Sequence, residues 1–351
     1  MSHITDDLRI TAIKELASPQ QIQQDLPITD VAATTVYEAR QAIYRILDKK
    51  DDRLMVVIGP CSIHDPDAAI EYATKLKALA DELSDDLLII MRVYFEKPRT
   101  TVGWKGLIND PFLDDSYHIN KGVHLARKLL LKLSEMGVPA GSEFLDLISP
   151  QYVSDLISWG AIGARTTESQ GHRELSSGLS CPVGFKNGTD GRLQIAIDAM
   201  RSASHPHSFL SVTKEGHSAI FSTSGNEYTH VILRGGSRPN YDRESVNEAA
   251  EQLRDSGLND SVMVDFSHAN SQKKFKKQMD VCVDIAHQIK TGQESIFGVM
   301  IESHLVEGRQ DIQPGKELVY GQSITDACVG MEDSEKMLRI LADAVRHSRE
   351  K

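Results

Sequence analysis

Nothing in this chain approaches the roughly 20 consecutive apolar residues that a membrane-spanning helix needs, so no membrane partner is expected. The opening residues, Met1-Ser2-His3-Ile4-Thr5-Asp6-Asp7-Leu8-Arg9, lack a basic stretch followed by an apolar core. They read against a secretory leader and for a cytoplasmic location. Cysteine is sparse and scattered. Cys61, Cys181, Cys282 and Cys328 form no CxxC pair, which argues against a disulfide framework and fits a reduced compartment. Excess positive charge is missing as well. The formal net charge of −11 argues against nucleic acid and anionic membranes as partners, and makes any local basic cluster more telling. No linker or low-complexity tract divides the 351 residues, and no GxGxxG follows the first hydrophobic run.

Eight short hydrophobic runs are present, and nearly every one leads into a charged or metal-binding residue. Run 54–60 leads into Cys61, 87–91 into Arg92, 138–142 into Glu143 and 161–164 into Arg165. Run 183–185 leads into Lys186, 230–233 into Arg234, 262–267 into His268 and 297–301 into Glu302. Helical patterns lie between them. Ala69, Ala73, Leu76, Ala80 and Leu83 recur at three- and four-residue steps after the start signal Asp65-Pro66. Phe275, Met279, Cys282, Ala286 and Ile289 do the same before Thr291-Gly292. Such alternation predicts an α/β fold with a parallel sheet, and eight repeats predict closure into a (β/α)8 TIM barrel. An open doubly wound sheet is the structural alternative.

Two segments exceed what a bare barrel needs. Residues 1–50 form an N-terminal extension before the catalytic barrel, 51–351, with helix signals at Ser18-Pro19-Gln20 and around 36–47. Segments 209–213 and 218–222 read as a β-hairpin inserted between barrel strands five and six, spanning about 209–223. Additions of this kind usually carry assembly or regulation.

In a closed parallel barrel the carboxyl ends of the strands converge on one face, which carries the chemistry. Cys61, His268, Glu302 and Asp326 would supply a thiolate, an imidazole and two carboxylates there. That set suits Mn²⁺, Fe²⁺, Co²⁺ or Zn²⁺ better than Mg²⁺ or Ca²⁺. Each residue alone has a blander reading, a buried small side chain for Cys61 or a structural histidine for His268. Arg92, Lys97, Arg99, Arg165, Lys186 and Arg234 would gather cations on the same face and imply a phosphorylated small ligand. Lys97-Pro98-Arg99-Thr100 packs two cations and a hydroxyl around a stiffening proline. Glu143 fits proton transfer, orientation of a water, or plain neutralisation of neighbouring arginines. The basic run 272–277 reads as the solvated opening of a helix.

These motifs carry a family resemblance over essentially the whole chain. The strings Gly59-Pro60-Cys61-Ser62-Ile63-His64, Lys97-Pro98-Arg99-Thr100 and Gly160-Ala161-Ile162-Gly163-Ala164-Arg165-Thr166-Thr167-Glu168-Ser169-Gln170 resemble the type I, microbial 3-deoxy-D-arabino-heptulosonate-7-phosphate (DAHP) synthases. So do Gly184-Phe185-Lys186-Asn187-Gly188-Thr189-Asp190-Gly191, Phe266-Ser267-His268-Ala269-Asn270-Ser271 and Ser323-Ile324-Thr325-Asp326-Ala327-Cys328. The resemblance implies a transferase that joins phosphoenolpyruvate to D-erythrose 4-phosphate and releases phosphate, the first step toward the aromatic amino acids. It implies Cys61, His268, Glu302 and Asp326 as ligands of a divalent metal. It implies Arg92, Arg165, Lys186 and Arg234 for phosphoenolpyruvate, and Lys97, Pro98, Arg99 and Thr100 for erythrose 4-phosphate. Lys97, Glu143, Lys186 and His268 are the expected catalytic groups.

The resemblance further implies feedback inhibition by an aromatic amino acid. The matching effector positions are Leu147, Gln151, Leu175, Ser180, Phe209, Ser211 and Phe221, with Asp6, Asp7 and Ile10 from a neighbouring subunit of a homodimer or homotetramer. Ser211 resembles the phenylalanine-sensitive forms, while Leu147 and Phe221 depart from that pattern. The competing readings are a 3-deoxy-octulosonate 8-phosphate synthase and an inactive amino-acid sensor.

Overall fold

The computed structural model describes residues 3–99, 101–313 and 315–350. All eight hydrophobic runs are strands. In chain order the strands are β1 (Leu54–Gly59), β2 (Leu87–Arg92), β3 (Ala140–Glu143), β4 (Trp159–Ile162), β5 (Val183–Lys186), β6 (Ser208–Val212) and β7 (Ser218–Ser222). They continue with β8 (Thr229–Leu233), β9 (Val262–Asp265), β10 (Ile296–Glu302), β11 (Val306–Arg309) and β12 (Gln322–Ser323). β1, β2, β3, β4, β5, β8, β9 and β10 follow one another around a closed parallel barrel. Closure is made by β10 against β1, in register from Met55 opposite Gly298 to Gly59 opposite Glu302.

The helices are α1 (Pro19–Asp25), α2 (Asp30–Leu47), α3 (Pro66–Glu82), α4 (Ile119–Glu135), α5 (Pro150–Val153), α6 (Gln170–Gly178), α7 (Gln194–Ala203), α8 (Arg243–Asp255), α9 (Gln278–Lys290) and α10 (Met331–Arg349). α3 starts where Asp65-Pro66 directs, because the Asp65 carboxylate accepts from the free N–H groups of Asp67 and Ala68. α9 starts later than the apolar spacing suggests. Phe275–Lys277 is a 3-10 turn, and the basic run lies mostly before the helix. Among the described residues no helix is long and apolar enough to cross a membrane.

The barrel strands are buried on both faces, which is why they read as continuous apolar runs. Successive side chains divide between two layers. On β1, Leu54, Val56 and Ile58 pack under the outer helices, whereas Met55 and Val57 fill the barrel. The filling continues with Ile90, Trp159, Ile232, Met263 and Met300. One polar pair sits within it, where Trp159 Nε1 donates to His230 Nε2 at 2.9 Å. Gly184 makes room for this pair, since a Cβ there would lie 2.6 Å from His230 Cε1.

The extension is part of this core. Ala39, Ile43, Ile46 and Leu47 of α2 join the interior cluster beside Met55, Trp159 and Phe297, at the amino ends of the strands. α2 is therefore the floor of the barrel. Residues 4–13, by contrast, run exposed along the outside. They are tethered only from Glu15 onward, where Asn120 Nδ2 donates to Glu15 O and Ala17 N donates to Asn120 Oδ1. The inserted hairpin is β6 against β7, with Phe209 opposite Phe221. Its tip is held by Gln20 N donating to Lys214 O at 2.7 Å and by Lys214 Nζ donating to Gln151 O.

Candidate active site

The carboxyl ends of the barrel strands open into a cavity of about 410 Å³. Its wall includes Arg92 and Lys97 from the end of β2 and the loop beyond, Glu143 of β3 and Arg165 after β4. It continues with Lys186 of β5, Arg234 after β8, His268 after β9, Glu302 of β10 and Asp326 beyond β12. Pro98 and Arg99 lie at the same wall. Thr100 lies outside the described residues. Glu143 reaches inward because Gly163 faces it, and a Cβ at that glycine would stand 2.3 Å from Glu143 Oε1.

Three of the four expected metal ligands converge. Donor atoms of Cys61, Glu302 and Asp326 lie within 4.8 Å of one another, so one borderline ion fits among a sulfur and two carboxylates. His268 lines the same cavity but is not a member of that cluster. Its Nδ1 is engaged elsewhere, 2.9 Å from Asp265 Oδ2. Lys97 Nζ stands 3.1 Å from Cys61 Sγ. Burial and the neighbouring Glu302 carboxylate push the Cys61 thiol up, against the pull of Lys97. Asp326 moves the other way. Burial opposes its charge, but Lys97 and His268 outweigh burial and hold the carboxyl below its ordinary value.

The cations divide into two groups. Arg92 is wholly buried, donating from Nε to Pro60 O at 3.1 Å and from Nη2 to Cys61 O at 3.2 Å and Glu302 Oε1 at 3.1 Å, with its guanidinium over the Tyr94 ring. Lys186 Nζ is paired with Asp265 Oδ2 at 3.0 Å. Arg99, Arg165 and Arg234 have no carboxylate partner within 4.0 Å among the described residues. Burial is the main cause that lowers the pKa of Arg234; Asp265 pulls against it and Arg165 adds to it. Three unpaired guanidiniums around one concave site call for an anionic ligand with oxygens to spare.

Some residues of the site do not stand out in the sequence. Asp265 is a carboxylate inside an apolar run, and that interruption is its one sequence signal. Gln278 is buried at the start of α9. It donates from Nε2 to Glu302 O at 3.0 Å and accepts Glu302 N–H at 2.9 Å. β9 has already ended at this level, so the Gln278 amide replaces a missing strand and holds the Glu302 backbone. Arg309 and Lys273 also reach the cavity wall. Only the tertiary structure brings these in.

The expected effector positions are partly assembled. Phe209, Ser211 and Phe221 share the half-buried face of the hairpin, and β6 packs on α6, where Leu175 is buried. Leu147 packs over Gly171 at the start of α6, Gln151 is tied to the hairpin through Lys214, and Ser180 O accepts from Tyr44 Oη at 3.1 Å. Asp6, Asp7 and Ile10 lie on the exposed arm, bonded among themselves and not to the hairpin of the same chain.

Comparison with known proteins agrees with this architecture. The chain is 63% identical over 349 residues to the Phe-sensitive phospho-2-dehydro-3-deoxyheptonate aldolase of Escherichia coli strain K12, covering 99% of this chain and 100% of that protein. The Trp-sensitive protein of the same strain is 53% identical over 341 residues, covering 97% and 98%. The phospho-2-dehydro-3-deoxyheptonate aldolase structure from Francisella tularensis SCHU S4 superposes with a TM-score of 0.95 at 56% identity, covering 97% of this chain and 99% of that one. Residues 22–339 match the model of the DAHP synthetase I family, and with these identities over nearly its full length the chain belongs to that family.

Proposed function

We propose that this protein is a metal-dependent DAHP synthase, joining phosphoenolpyruvate to D-erythrose 4-phosphate in the first step of the shikimate pathway. The observation that carries this reading is the meeting of three unpaired arginines with the Cys61, Glu302 and Asp326 cluster in one cavity. Two phosphorylated anions repel each other, and a cationic wall lets them lie side by side. In this reading Arg165 and Arg234 take the phosphate of phosphoenolpyruvate, and Lys186 and Arg92 its carboxylate end. Arg99, beside Pro98 and with Thr100 following, takes the phosphate of the sugar. Lys97 is half-buried beside Cys61.

Cys61, Glu302, Asp326 and His268 would hold a divalent ion, which supplies Lewis acidity toward the aldehyde oxygen. The bond forms between carbon 3 of phosphoenolpyruvate and the aldehyde carbon. Water adds at carbon 2, and phosphate leaves by C–O cleavage. Lys97, Glu143, Lys186 and His268 are the groups near enough to orient water and move protons in these steps. Arg92 holds Glu302 in place through its buried pair.

An aromatic amino acid, phenylalanine, is the proposed inhibitor, taken at the hairpin by Leu147, Gln151, Leu175, Ser180, Phe209, Ser211 and Phe221. Asp6, Asp7 and Ile10 of a second subunit complete that site in a cytoplasmic homodimer or homotetramer. Support comes from the exposed apolar residues of the arm, Ile4 at 80% and Ile13 at 82%, and of the hairpin, Leu210 at 86%. Phosphoenolpyruvate consumption by chelator-treated protein, with and without Mn²⁺ and then with each aromatic amino acid, tests both parts. Turnover restored by metal and inhibited by phenylalanine is expected. Cys61→Ala is expected to abolish it, and full activity of that variant in metal-replete buffer refutes the ligand assignment.

A further inference from the structure

Asp265 closes β9 and is wholly buried. Its two oxygens accept three hydrogen bonds and face one further polar contact. Oδ1 takes Ser267 N–H at 3.0 Å and Ser267 Oγ–H at 2.6 Å. Oδ2 takes Lys186 Nζ at 3.0 Å and stands 2.9 Å from His268 Nδ1. The Ser267 hydroxyl gives its hydrogen to Asp265 Oδ1, so toward His268 Nδ1, 2.7 Å away, it accepts; the ring hydrogen therefore lies on Nδ1, and that tautomer leaves the lone pair on Nε2. That one N–H points between Ser267 Oγ at 2.7 Å and Asp265 Oδ2 at 2.9 Å.

The backbone is bent to make this contact. His268 has a left-handed φ of +58°, a conformation uncommon among residues with a side chain. The turn brings the ring back onto a carboxylate three residues earlier in the chain.

We propose that Asp265 is a positioning residue that couples the two halves of the site. It fixes the His268 tautomer that leaves Nε2 free for a divalent cation, and it holds the Lys186 ammonium where phosphoenolpyruvate is received. The inference rests on the reading above, that the cavity takes both a divalent ion and phosphoenolpyruvate.

The test uses the full-length protein and Asp265→Asn, which preserves size and removes charge. Co²⁺ affinity is read from the near-ultraviolet absorption of the cobalt–thiolate bond, with kcat and the two KM values measured at saturating metal. Asp265→Asn is expected to weaken Co²⁺ binding about 10–100-fold, the range seen when a carboxylate behind a ligating histidine is lost. It is also expected to raise KM for phosphoenolpyruvate while leaving KM for erythrose 4-phosphate in place. Asp265→Glu, which restores the charge, recovers part of the Co²⁺ affinity. Wild-type Co²⁺ affinity and phosphoenolpyruvate KM in a folded Asp265→Asn protein overturn the proposal. If that variant does not fold, ¹⁵N spectra of His268 in the wild-type protein decide, with the Nδ1–H tautomer expected and the Nε2–H tautomer overturning it. A wild-type protein that neither binds Co²⁺ nor consumes phosphoenolpyruvate instead overturns the reading beneath.

Discussion

Burial sets the behaviour of individual ionisable groups in this barrel, and Glu96 shows it next to the cavity. Its Oε2 accepts from Ser149 Oγ at 2.9 Å, and burial, with Asp146 nearby, pushes its carboxyl up to about 7. The folded pKa thus lies above the ordinary 4.5. Its contribution to stability is present below the lower value and is lost as pH rises through the upper one. Glu96→Gln keeps an acceptor for Ser149 and removes the titration. The variant is expected to gain on the wild type between pH ~4.5 and ~8, by at most about 3 kcal/mol, because each tenfold change in proton affinity is worth ~1.36 kcal/mol. Guanidinium midpoints at the two pH values on chelator-treated protein check this, and an unchanged difference counts against it. His230 has the opposite sign. Burial lowers its pKa to about 4, so its contribution is lost as pH falls below 6.5, but it is common to both proteins and cancels. Neither effect was legible in the sequence, because a glutamate or histidine inside an apolar stretch does not reveal what lies across from it.

Among elements, α2 departs furthest from its sequence appearance. Its apolar positions suit any amphipathic helix, and as part of an extension it suggested assembly or regulation. In the fold it seals the amino end of the barrel, with Ile43 fully buried against the interior cluster. Ile43→Ala is expected to cost about 2–5 kcal/mol, as other large-to-small changes in packed cores do. KM for either substrate is expected to stay unchanged, since the cavity is at the opposite end. Denaturation and steady-state kinetics on the same preparation check both halves, and a shifted KM with little loss of stability contradicts the floor role. The eight strands were legible for the converse reason. A parallel strand buried on both faces is apolar at every position, so no phase has to be inferred. The loop 101–118 and the small β11–β12 pair carry no such pattern and were not legible.

For the whole molecule, the exposed arm and the outward hairpin face leave apolar surface that one chain does not cover. Ile4, Leu8, Ile10 and Ile13 on the arm and Leu210 and Ile220 on the hairpin are all more than half exposed. Removing residues 1–14 leaves the Glu15–Ala17 tether to Asn120 and the barrel floor intact. That variant is expected to sediment as a smaller species and to lose inhibition by phenylalanine while retaining turnover. Sedimentation velocity and inhibition curves test this, and an unchanged assembly state rules out the arm as its cause. By itself the sequence determined the barrel, its strand ends, and the cations and metal-type donors those ends carry, because local periodicity and residue type do not depend on distant partners. Tertiary structure alone decided that Arg92 and Lys186 are already paired while Arg99, Arg165 and Arg234 are not, that α2 is a floor, and that Asp265 and Gln278 stand behind His268 and Glu302. Those are statements about which groups meet, and meeting depends on register and closure, which no single segment encodes.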